Sequence, residues 1–187
     1  MKKAKPLFSL LFLALFLGSG KQYGYVITLP ADPYAVIFLR ETGPKPTYEP
    51  PRRTVPEEYR DLFASASACA GIPPGVLESI AYVESGFDPG AESPLRGDGN
   101  HDMGMMQFNT KCLDWYAGHY TDGAPFDPMD PAEAVPVAAK HIGFLFGRYG
   151  HWPTVCLAYN AGAGAVDRGE VPESSDDYLA RVYRGGL

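Results

Sequence analysis

The pattern of apolar and polar positions is helical over most of the chain after residue 54. An apolar stripe runs from Tyr59 to Ala66 at three- and four-residue intervals, and Thr54 is followed three residues later by Glu57. A threonine with a glutamate at this distance is typical of a capping box at a helix start. The pattern therefore predicts a first helix from about Thr54 to about Cys69.

A second helix is predicted from Pro74 to Ser85, and Gly86 is well placed to end it. Glu84 lies seven residues after Leu77 and four residues after Ile80, so it falls on the apolar side of this helix. A carboxylate in that position is desolvated, which raises its pKa and lets it keep a proton near neutral pH. This is the profile of a general acid.

The same spacing allows a second interpretation of Glu84. A buried glutamate can be neutralised by an arginine, and Arg60 and Arg148 are two candidates that the sequence offers. A catalytic acid and a structural ion pair differ in the groups that surround the carboxylate. The spacing of residues in the sequence does not identify those groups.

Three further helices are predicted in the second half of the chain. The segment Asp130-Pro131-Ala132-Glu133 supplies a cap, a proline for the first turn and a glutamate at the third position, ahead of a long helix that Gly150 closes. A shorter helix is predicted from about Pro153 to Gly162, and Ser174 with Asp177 is predicted to cap a last one. The predicted fold class is therefore all-α.

The first 20 residues differ in character from the helical region. They combine Lys2, Lys3 and Lys5 with an apolar run from Leu7 to Leu17 and then small residues, which is typical of a secretory signal peptide. The run is shorter than the roughly 20 residues that a membrane-spanning helix needs. We therefore predict an exported protein with no membrane span after signal removal, with an uncleaved N-terminal anchor as the alternative.

Residues 21–53 are predicted to form an extended arm and a linker. They hold two β-prone runs, Tyr25–Leu29 and Tyr34–Leu39, and then a proline-rich tract. An arm of this kind either packs on its own domain or adds a strand to the sheet of a partner.

Composition and charge exclude several classes of function. The 187 residues carry a formal charge of −6, which becomes −9 without the three lysines of the predicted signal. An acidic chain argues against nucleic acid or anionic lipid as the partner. The histidines lack the paired spacing of a zinc site, residues 98–109 depart from a calcium loop at Met103 and Asn109, and no glycine-rich phosphate loop is present. We therefore predict neither a metal nor a cofactor.

The three cysteines leave two interpretations open. In an exported protein, Cys69, Cys112 and Cys156 allow one disulfide and one remaining thiol, and the sequence does not choose among the three pairings. The alternative is that all three are small buried apolar residues on helices.

Four sequence blocks carry most of the information about function. They are, in chain order, Glu84-Ser85-Gly86-Phe87, Gly104-Met105-Met106-Gln107, Ala158-Tyr159-Asn160-Ala161-Gly162, and Val171-Pro172 leading to Tyr178. With these blocks, the region from about Pro56 to Tyr183 resembles the catalytic domain of the soluble lytic transglycosylases, the lysozyme-like enzymes of glycoside hydrolase family 23. The resemblance implies a lysozyme-like domain over residues 54–187. The segment Asp98–Gly104 is similar to that of the small transglycosylases that accompany secretion, conjugation and pilus machines.

The resemblance also implies roles for single residues. Glu84 would be the sole catalytic residue, first as an acid and then as a base. Tyr159 would donate a hydrogen bond toward its carboxyl group, and Tyr178 would flank the site. The substrate-binding residues implied in this way are Ser85, Met105, Met106, Gln107, Tyr159, Asn160 and Tyr178, with the backbone of the two methionines lining the site.

The implied reaction cleaves the β-1,4 bond between N-acetylmuramic acid and N-acetylglucosamine in peptidoglycan and forms a 1,6-anhydro ring without water. Ordinary glycosidases use two carboxylates. The carboxylates nearest to Glu84 in sequence, Asp88 and Asp102, are predicted to hold a loop instead. A lysozyme-type hydrolase and a wall-binding assembly factor without turnover are the alternatives. The implied partners are glycan strands and a secretion, conjugation or pilus apparatus, at a periplasmic or wall-associated location.

Overall fold

Two units make up the chain in the computed structural model, Met1–Pro46 and Thr47–Leu187. The structure describes residues 49–184 in full and, before them, the backbone of three strands at residues 10–17, 21–28 and 40–41. Each unit is described by itself.

Three strands are described in the first unit. They are β1 (Leu10–Leu17), β2 (Lys21–Thr28) and β3 (Arg40–Glu41). The middle strand pairs antiparallel with both others, with Leu10 opposite Thr28 and Tyr25 opposite Glu41. The predicted run Tyr25–Leu29 overlaps β2, whereas Tyr34–Leu39 lies outside the described residues. Strand β1 lies within the apolar run of the predicted secretory signal, whose removal stays a prediction.

Helices form nearly all of the regular structure described in the second unit, which confirms the all-α prediction for this region. They are α1 (Arg60–Ala70), α2 (Pro74–Ser85), α3 (Leu113–Tyr120), α4 (Pro131–Tyr149), α5 (Trp152–Ala161), α6 (Ala163–Arg168) and α7 (Ser174–Tyr183). Two short strands, β4 (Asp102–Met103) and β5 (Phe108–Asn109), pair antiparallel between α2 and α3. No helix of the described residues is both long enough and apolar enough to span a membrane.

Helix α2 lies at the centre of the core. Its residues Val76, Leu77, Ile80 and Ala81 are fully buried, and the helix packs against α1, α4 and α7. Burial of each large aliphatic side chain contributes about 1.5–3 kcal/mol. Because α2 is covered by three other helices, the residues of its last turn are held in one place.

The predicted helix ends are correct where a glycine or an aspartate supplies them. Gly86 ends α2 with φ 68° and Gly150 ends α4 with φ 60°, the left-handed conformation that glycine adopts without strain. Asp130 caps α4, since its Oδ1 accepts from the Ala132 amide at 2.8 Å. The carboxylate of Glu133 accepts from the Asp127 amide instead of completing a capping box with Asp130.

Two predicted caps are wrong. Helix α1 begins at Arg60, after a single 3₁₀ turn at Glu57–Tyr59, and the Thr54 side chain caps nothing. Pro56 has an extended conformation (ψ 144°) and so cannot be part of a helix. The first helix must therefore begin after Pro56. Helix α7 begins at Ser174 itself and has no side-chain cap. Helices α3 and α6 were not predicted.

The cysteines fit neither interpretation in full. All three are free thiols, so the disulfide that the sequence allowed is absent among them. Only Cys156 is buried, while Cys112 is partly exposed and Cys69 is exposed.

The segment before α1 packs on its own domain. We call residues 50–55 the strap. The Pro51 carbonyl accepts from the Ser79 hydroxyl at 2.7 Å, and a Cβ on Gly75 would come within 2.6 Å of the Pro50 oxygen. Such close approach requires glycine at position 75, so α2 is shaped to receive the strap.

Candidate active site

The last turn of α2 carries Glu84 and Ser85 and is fixed by a strained turn. Gly86 and Phe87 both have positive φ, at 68° and 69°. A positive φ is costly for phenylalanine and persists only where the surroundings hold it. The buried Phe87 ring packs edge-on against Phe63, with centroids 5.6 Å apart. This packing holds the turn and with it the two polar side chains.

Glu84 has the environment of a proton donor. Its side chain is partly buried, and the Tyr178 hydroxyl donates to its Oε1 at 2.8 Å. Burial raises the pKa of Glu84 from 4.5 to about 7; the Tyr178 hydrogen bond and the charge of Arg181 lower it, and the charge of Asp102 raises it. A carboxyl group with this pKa can donate a proton and take one back near neutral pH.

The two arginines predicted to neutralise Glu84 contact other groups. Arg60 Nε donates to the Val55 carbonyl at 3.4 Å, and Arg148 pairs with Asp167 at 2.6 Å. Within residues 49–184, no ion pair includes Glu84. The interpretation of Glu84 as a structural ion pair is therefore wrong.

The tyrosine that contacts the carboxyl group is Tyr178, and the role predicted for Tyr159 is wrong. The Tyr159 hydroxyl donates to the Met106 carbonyl at 2.9 Å. Tyr178 is 2% exposed, and burial together with the nearby Glu84 raises its pKa well above the usual value, so its hydroxyl stays protonated. The pKa of Tyr159 is raised by burial and by Glu84 as well, so both rings lie near the carboxyl group.

The loop Gly104–Gln107 reaches the site through its backbone. Gly104 has φ 74°, and a Cβ there would lie 1.8 Å from the Pro128 oxygen, so only glycine fits. The Met105 and Met106 side chains are fully buried in the core. Their carbonyls accept from the Ser85 hydroxyl at 2.8 Å and from Tyr159, respectively. The loop is therefore joined to α2 and α5 by two side chains of the predicted site.

Gln107 and Ser85 are largely committed to this loop. Gln107 has φ 51°, and its Nε2 donates to the carbonyls of Ala91 at 3.1 Å and Gly104 at 2.9 Å. Ser85 Oγ also accepts from the Asp88 amide at 3.1 Å. Both side chains therefore form hydrogen bonds with backbone groups of neighbouring residues. Their oxygens can accept further hydrogen bonds, and a direct contact with substrate stays a prediction.

Asn160 is exposed and its amide is oriented by a neighbour. The Oδ1 atom accepts from the Ser175 hydroxyl at 2.9 Å, and Ser175 is 1% exposed. Because the oxygen faces Ser175, the Nδ2 group presents two donors on the opposite side. Sequence reasoning missed Ser175, although its position three residues before Tyr178, on the same face of α7, could have indicated it.

The other nearby carboxylates hold loop structure, as predicted. Asp88 Oδ1 accepts from the Gly90 amide at 2.8 Å. Asp102 binds Arg96 Nη1 at 3.0 Å and Asn109 Nδ2 at 2.9 Å. Within the fully described range, no cluster of three or more metal-ligating side chains occurs. The side chains of Asp88 and Asp102 are therefore occupied by loop contacts, and a catalytic role for Glu84 stays a prediction.

The second unit is an α-helical domain in which Glu84, a carboxyl group with a raised pKa, accepts a hydrogen bond from Tyr178. The model of the family described as Transglycosylase SLT domain matches residues 61–178. The chain belongs to this family.

Two relatives and two solved structures show similarity to the chain. It is 30% identical over 135 residues to peptidoglycan transglycosylase gp16 of Escherichia phage T7, covering 72% of this chain and 10% of that protein. It is 28% identical over 127 residues to protein IpgF of Shigella flexneri, covering 66% of this chain and 80% of that protein. The chain thus spans about a tenth of the phage protein.

The structural similarities show the fold. The 70 kDa soluble lytic transglycosylase Slt70 of Escherichia coli has a TM-score of 0.57 and 22% identity, over 66% of this chain and 22% of that chain. An inactive mutant of lytic transglycosylase Slt from Pseudomonas aeruginosa has a TM-score of 0.56 and 18% identity, over 68% of this chain and 23% of that chain. The lysozyme-like expectation for the fold is confirmed.

Proposed function

We propose that this protein is a peptidoglycan lytic transglycosylase in which Glu84 acts first as a general acid and then as a general base. The observation that carries the proposal is the Glu84 carboxyl group, with a pKa of about 7, a hydrogen bond from Tyr178 and, among the fully described residues, no ion pair. Membership in the transglycosylase SLT family supports the same reaction class.

The proposed reaction needs one proton to move twice. Protonated Glu84 gives its proton to the glycosidic oxygen while the bond between the N-acetylmuramic acid anomeric carbon and that oxygen breaks. The ionised carboxylate then takes the proton of the muramyl 6-hydroxyl, whose oxygen bonds to the anomeric carbon. The products are a chain with a free hydroxyl on N-acetylglucosamine and a chain that ends in 1,6-anhydro-N-acetylmuramic acid. Glu84 is regenerated in its protonated form.

The surroundings of Glu84 support transglycosylation over hydrolysis. Hydrolytic glycosidases place a second carboxylate at the reacting carbon as nucleophile or base. Here Asp88 and Asp102 are occupied by loop contacts. The substrate's own 6-hydroxyl replaces water as the attacking group, so a second carboxylate is not required. Asn160, with its two outward donors, suits the acetamido oxygen of an N-acetyl sugar.

The proposed location follows from the substrate. Peptidoglycan lies outside the cytoplasm, so the chain would act in the periplasm or at the wall, in keeping with the signal predicted over residues 1–20. We further propose that it serves a secretion, conjugation or pilus apparatus, on the ground of the resemblance of segment Asp98–Gly104. Opening the wall locally for such a machine would need only a small domain.

Digestion of purified murein sacculi tests the proposal. The soluble products are separated and their masses measured, and 1,6-anhydro ends are lighter than reducing ends by one water. Anhydro ends are expected with the wild type. Reducing ends alone would assign a hydrolase, and an intact wall would assign a factor without turnover.

A further inference from the structure

We propose that Arg53 is a positioning residue for the reaction, because its guanidinium ties the helix that carries Glu84 to the helix that carries Tyr178. Arg53 lies in the strap, outside residues 61–178 that match the family model. Family membership therefore assigns it no role. The inference rests on the proposed function, but its test is chosen to be independent of turnover.

One side of the guanidinium is fixed to α2. Arg53 Nε donates to the Ser79 hydroxyl at 3.1 Å, and Cζ lies 4.7 Å from the centroid of the Tyr82 ring. Ser79 is fully buried and donates in turn to the Pro51 carbonyl. Ser79 and Tyr82 are three residues apart and share one face of α2. The contact combines a hydrogen bond with a cation–π interaction, which a rigid planar guanidinium can make together.

The other side of the guanidinium caps the end of α7. Arg53 Nη2 donates to the Arg181 carbonyl at 2.9 Å and to the Val182 carbonyl at 3.0 Å. Carbonyls in the last turn of a helix have no partner within the helix, and the helix dipole favours a cation there. Arg53 therefore donates to two carbonyls in the last turn of α7 while it is held on α2.

The same two helices meet again at the reacting group. Tyr178 lies one turn before the capped carbonyls, and its hydroxyl bridges α7 to Glu84 on α2. A hydrogen bond of 2.8 Å weakens steeply when the donor is displaced. A shift at the end of α7 would thus be transmitted to the contact with Glu84. Arg53 acts on the carboxyl group through the position of Tyr178.

Two charged groups also act on the Glu84 carboxyl group. Asp102 lies in β4, whereas Arg181 lies on α7 and its carbonyl accepts from Arg53. The hydrogen bond from Tyr178 and, as a smaller contribution, the charge of Arg181 both lower the Glu84 pKa and both belong to α7, and the hydrogen bond is the larger of the two. Its loss has a predictable direction, which is a rise in the Glu84 pKa.

Arg52 provides a matched control. It is the neighbouring arginine of the strap and also binds α2, where its Nε donates to both oxygens of Glu78 at 2.9 and 2.8 Å. Its described hydrogen bonds and ion pair reach no residue of α7. Arg52→Lys and Arg53→Lys each keep one positive charge and remove one guanidinium that binds α2, and only Arg53→Lys also removes the contacts with α7.

The experiment is a carbon NMR titration of the Glu84 carboxyl group, assigned with Glu84→Gln. Tyr178→Phe is expected to raise the Glu84 pKa. Arg53→Ala is also expected to raise the Glu84 pKa, and Arg53→Lys is expected to raise it by a smaller amount. Arg52→Lys is expected to leave the Glu84 pKa unchanged. Because Arg53 acts mainly through Tyr178, the double variant Arg53→Ala with Tyr178→Phe should show a shift smaller than the sum of the two single shifts.

Two results would overturn the proposal. The first is a Glu84 pKa that does not change in the folded Arg53 variants. If Arg53→Ala does not fold, the result for Arg53→Lys decides. The other is a double variant whose shift equals the sum of the single shifts. In turnover of a soluble peptidoglycan fragment, Arg53→Ala is expected to lower kcat about tenfold with KM nearly unchanged. Absence of turnover in the wild type would count against the proposed function, and the titration would still decide the role of Arg53.

Discussion

Helix α2 carries two glutamates in very different surroundings. Glu78 is 2% exposed and is held by the Arg52 guanidinium and by the Arg53 amide at 3.0 Å. Glu84, near the end of the same helix, is partly exposed and has one neutral donor, Tyr178. Burial is thus deeper at the residue that has a cation, and shallower at the residue that lacks one.

The difference shows how a paired cation changes the surroundings of a carboxylate. An arginine fork compensates the charge of Glu78, in a role that joins the strap to the core. At Glu84, desolvation outweighs the Tyr178 hydrogen bond and the Arg181 charge, so the pKa is raised to about 7. Within residues 49–184, an ion pair with an arginine is present at Glu78 and absent at Glu84, and this separates the two carboxylates more than the depth of burial does.

The largest expected effect is on turnover. Glu84→Gln keeps the shape of the side chain but removes the transferable proton, and general acid–base groups contribute about 10²–10⁴-fold to rate. We expect sacculus digestion to slow by that factor. Glu78→Gln, measured at a temperature where it is folded, should retain activity within a few-fold. Equal losses in the two variants would contradict the contrast between the glutamates.

The second effect is on the pH dependence of stability. The Glu84 pKa is 4.5 when unfolded and about 7 when folded. Well below pH 4.5, the Glu84 carboxyl group is protonated in both the folded and the unfolded state. Between pH 4.5 and about pH 7, the unfolded chain releases this proton while the folded protein keeps it. The free energy of unfolding therefore falls as the pH rises through this range. The loss is complete above the folded pKa and is about 3 kcal/mol in total.

Urea unfolding of the wild type and of Glu84→Gln at pH 5 and pH 8 measures this effect. The variant lacks the titrating group, and part of the wild-type loss has already occurred at pH 5, so relative to the wild type the variant should gain about 2.5 kcal/mol at pH 8 compared with pH 5. Parallel pH profiles for the two proteins would show that Glu84 titrates at an ordinary pKa.

The third effect is a loss of stability at the other glutamate. Glu78→Gln replaces two charge-assisted acceptors with one neutral acceptor beside Arg52, which should lower the free energy of unfolding by about 2 kcal/mol at pH 7. The Arg52 side chain is 72% exposed, so water compensates part of the lost pair. A stabilised Glu78→Gln would mean that the ion pair contributes less than its desolvation costs.

The smallest effect separates the two tyrosines. Tyr178→Phe removes a hydrogen bond that lowers the Glu84 pKa, so the basic limb of the pH–rate profile should move to higher pH. Tyr159→Phe removes a donor to the Met106 carbonyl and should leave that limb in place. The reverse result would restore the role that the sequence resemblance assigned to Tyr159.

The sequence predicted those parts of the fold that local chemistry decides. Helix α2 and its end at Gly86 follow from apolar spacing and a glycine, and the α4 start follows from Asp130 and a proline. Helix α3 was missed because aromatic and polar residues alternate along it without a clear stripe, and α6 because six residues are too few for a periodic signal.

The sequence identified residues of the candidate site, but it did not identify the contacts between them. Glu84 was identified from its spacing, yet whether Tyr159 or Tyr178 reaches it depends on how α5 and α7 pack, which no local pattern records. The hydrogen-bond partners of the Arg53 side chain lie 26 to 129 residues away, so a proline-rich tract gave no sign that Arg53 would cap α7. Long-range contacts of this kind follow only from the assembled core.

The most direct test of the account is the source of the oxygen in the cleavage product. Sacculi are digested in water labelled with heavy oxygen, and the masses of the newly formed muramyl ends are measured. If Glu84 passes one proton out and takes it back from the 6-hydroxyl, the ends are 1,6-anhydro rings that carry no label. Reducing ends that carry one labelled oxygen would show that water attacks, and would contradict the account.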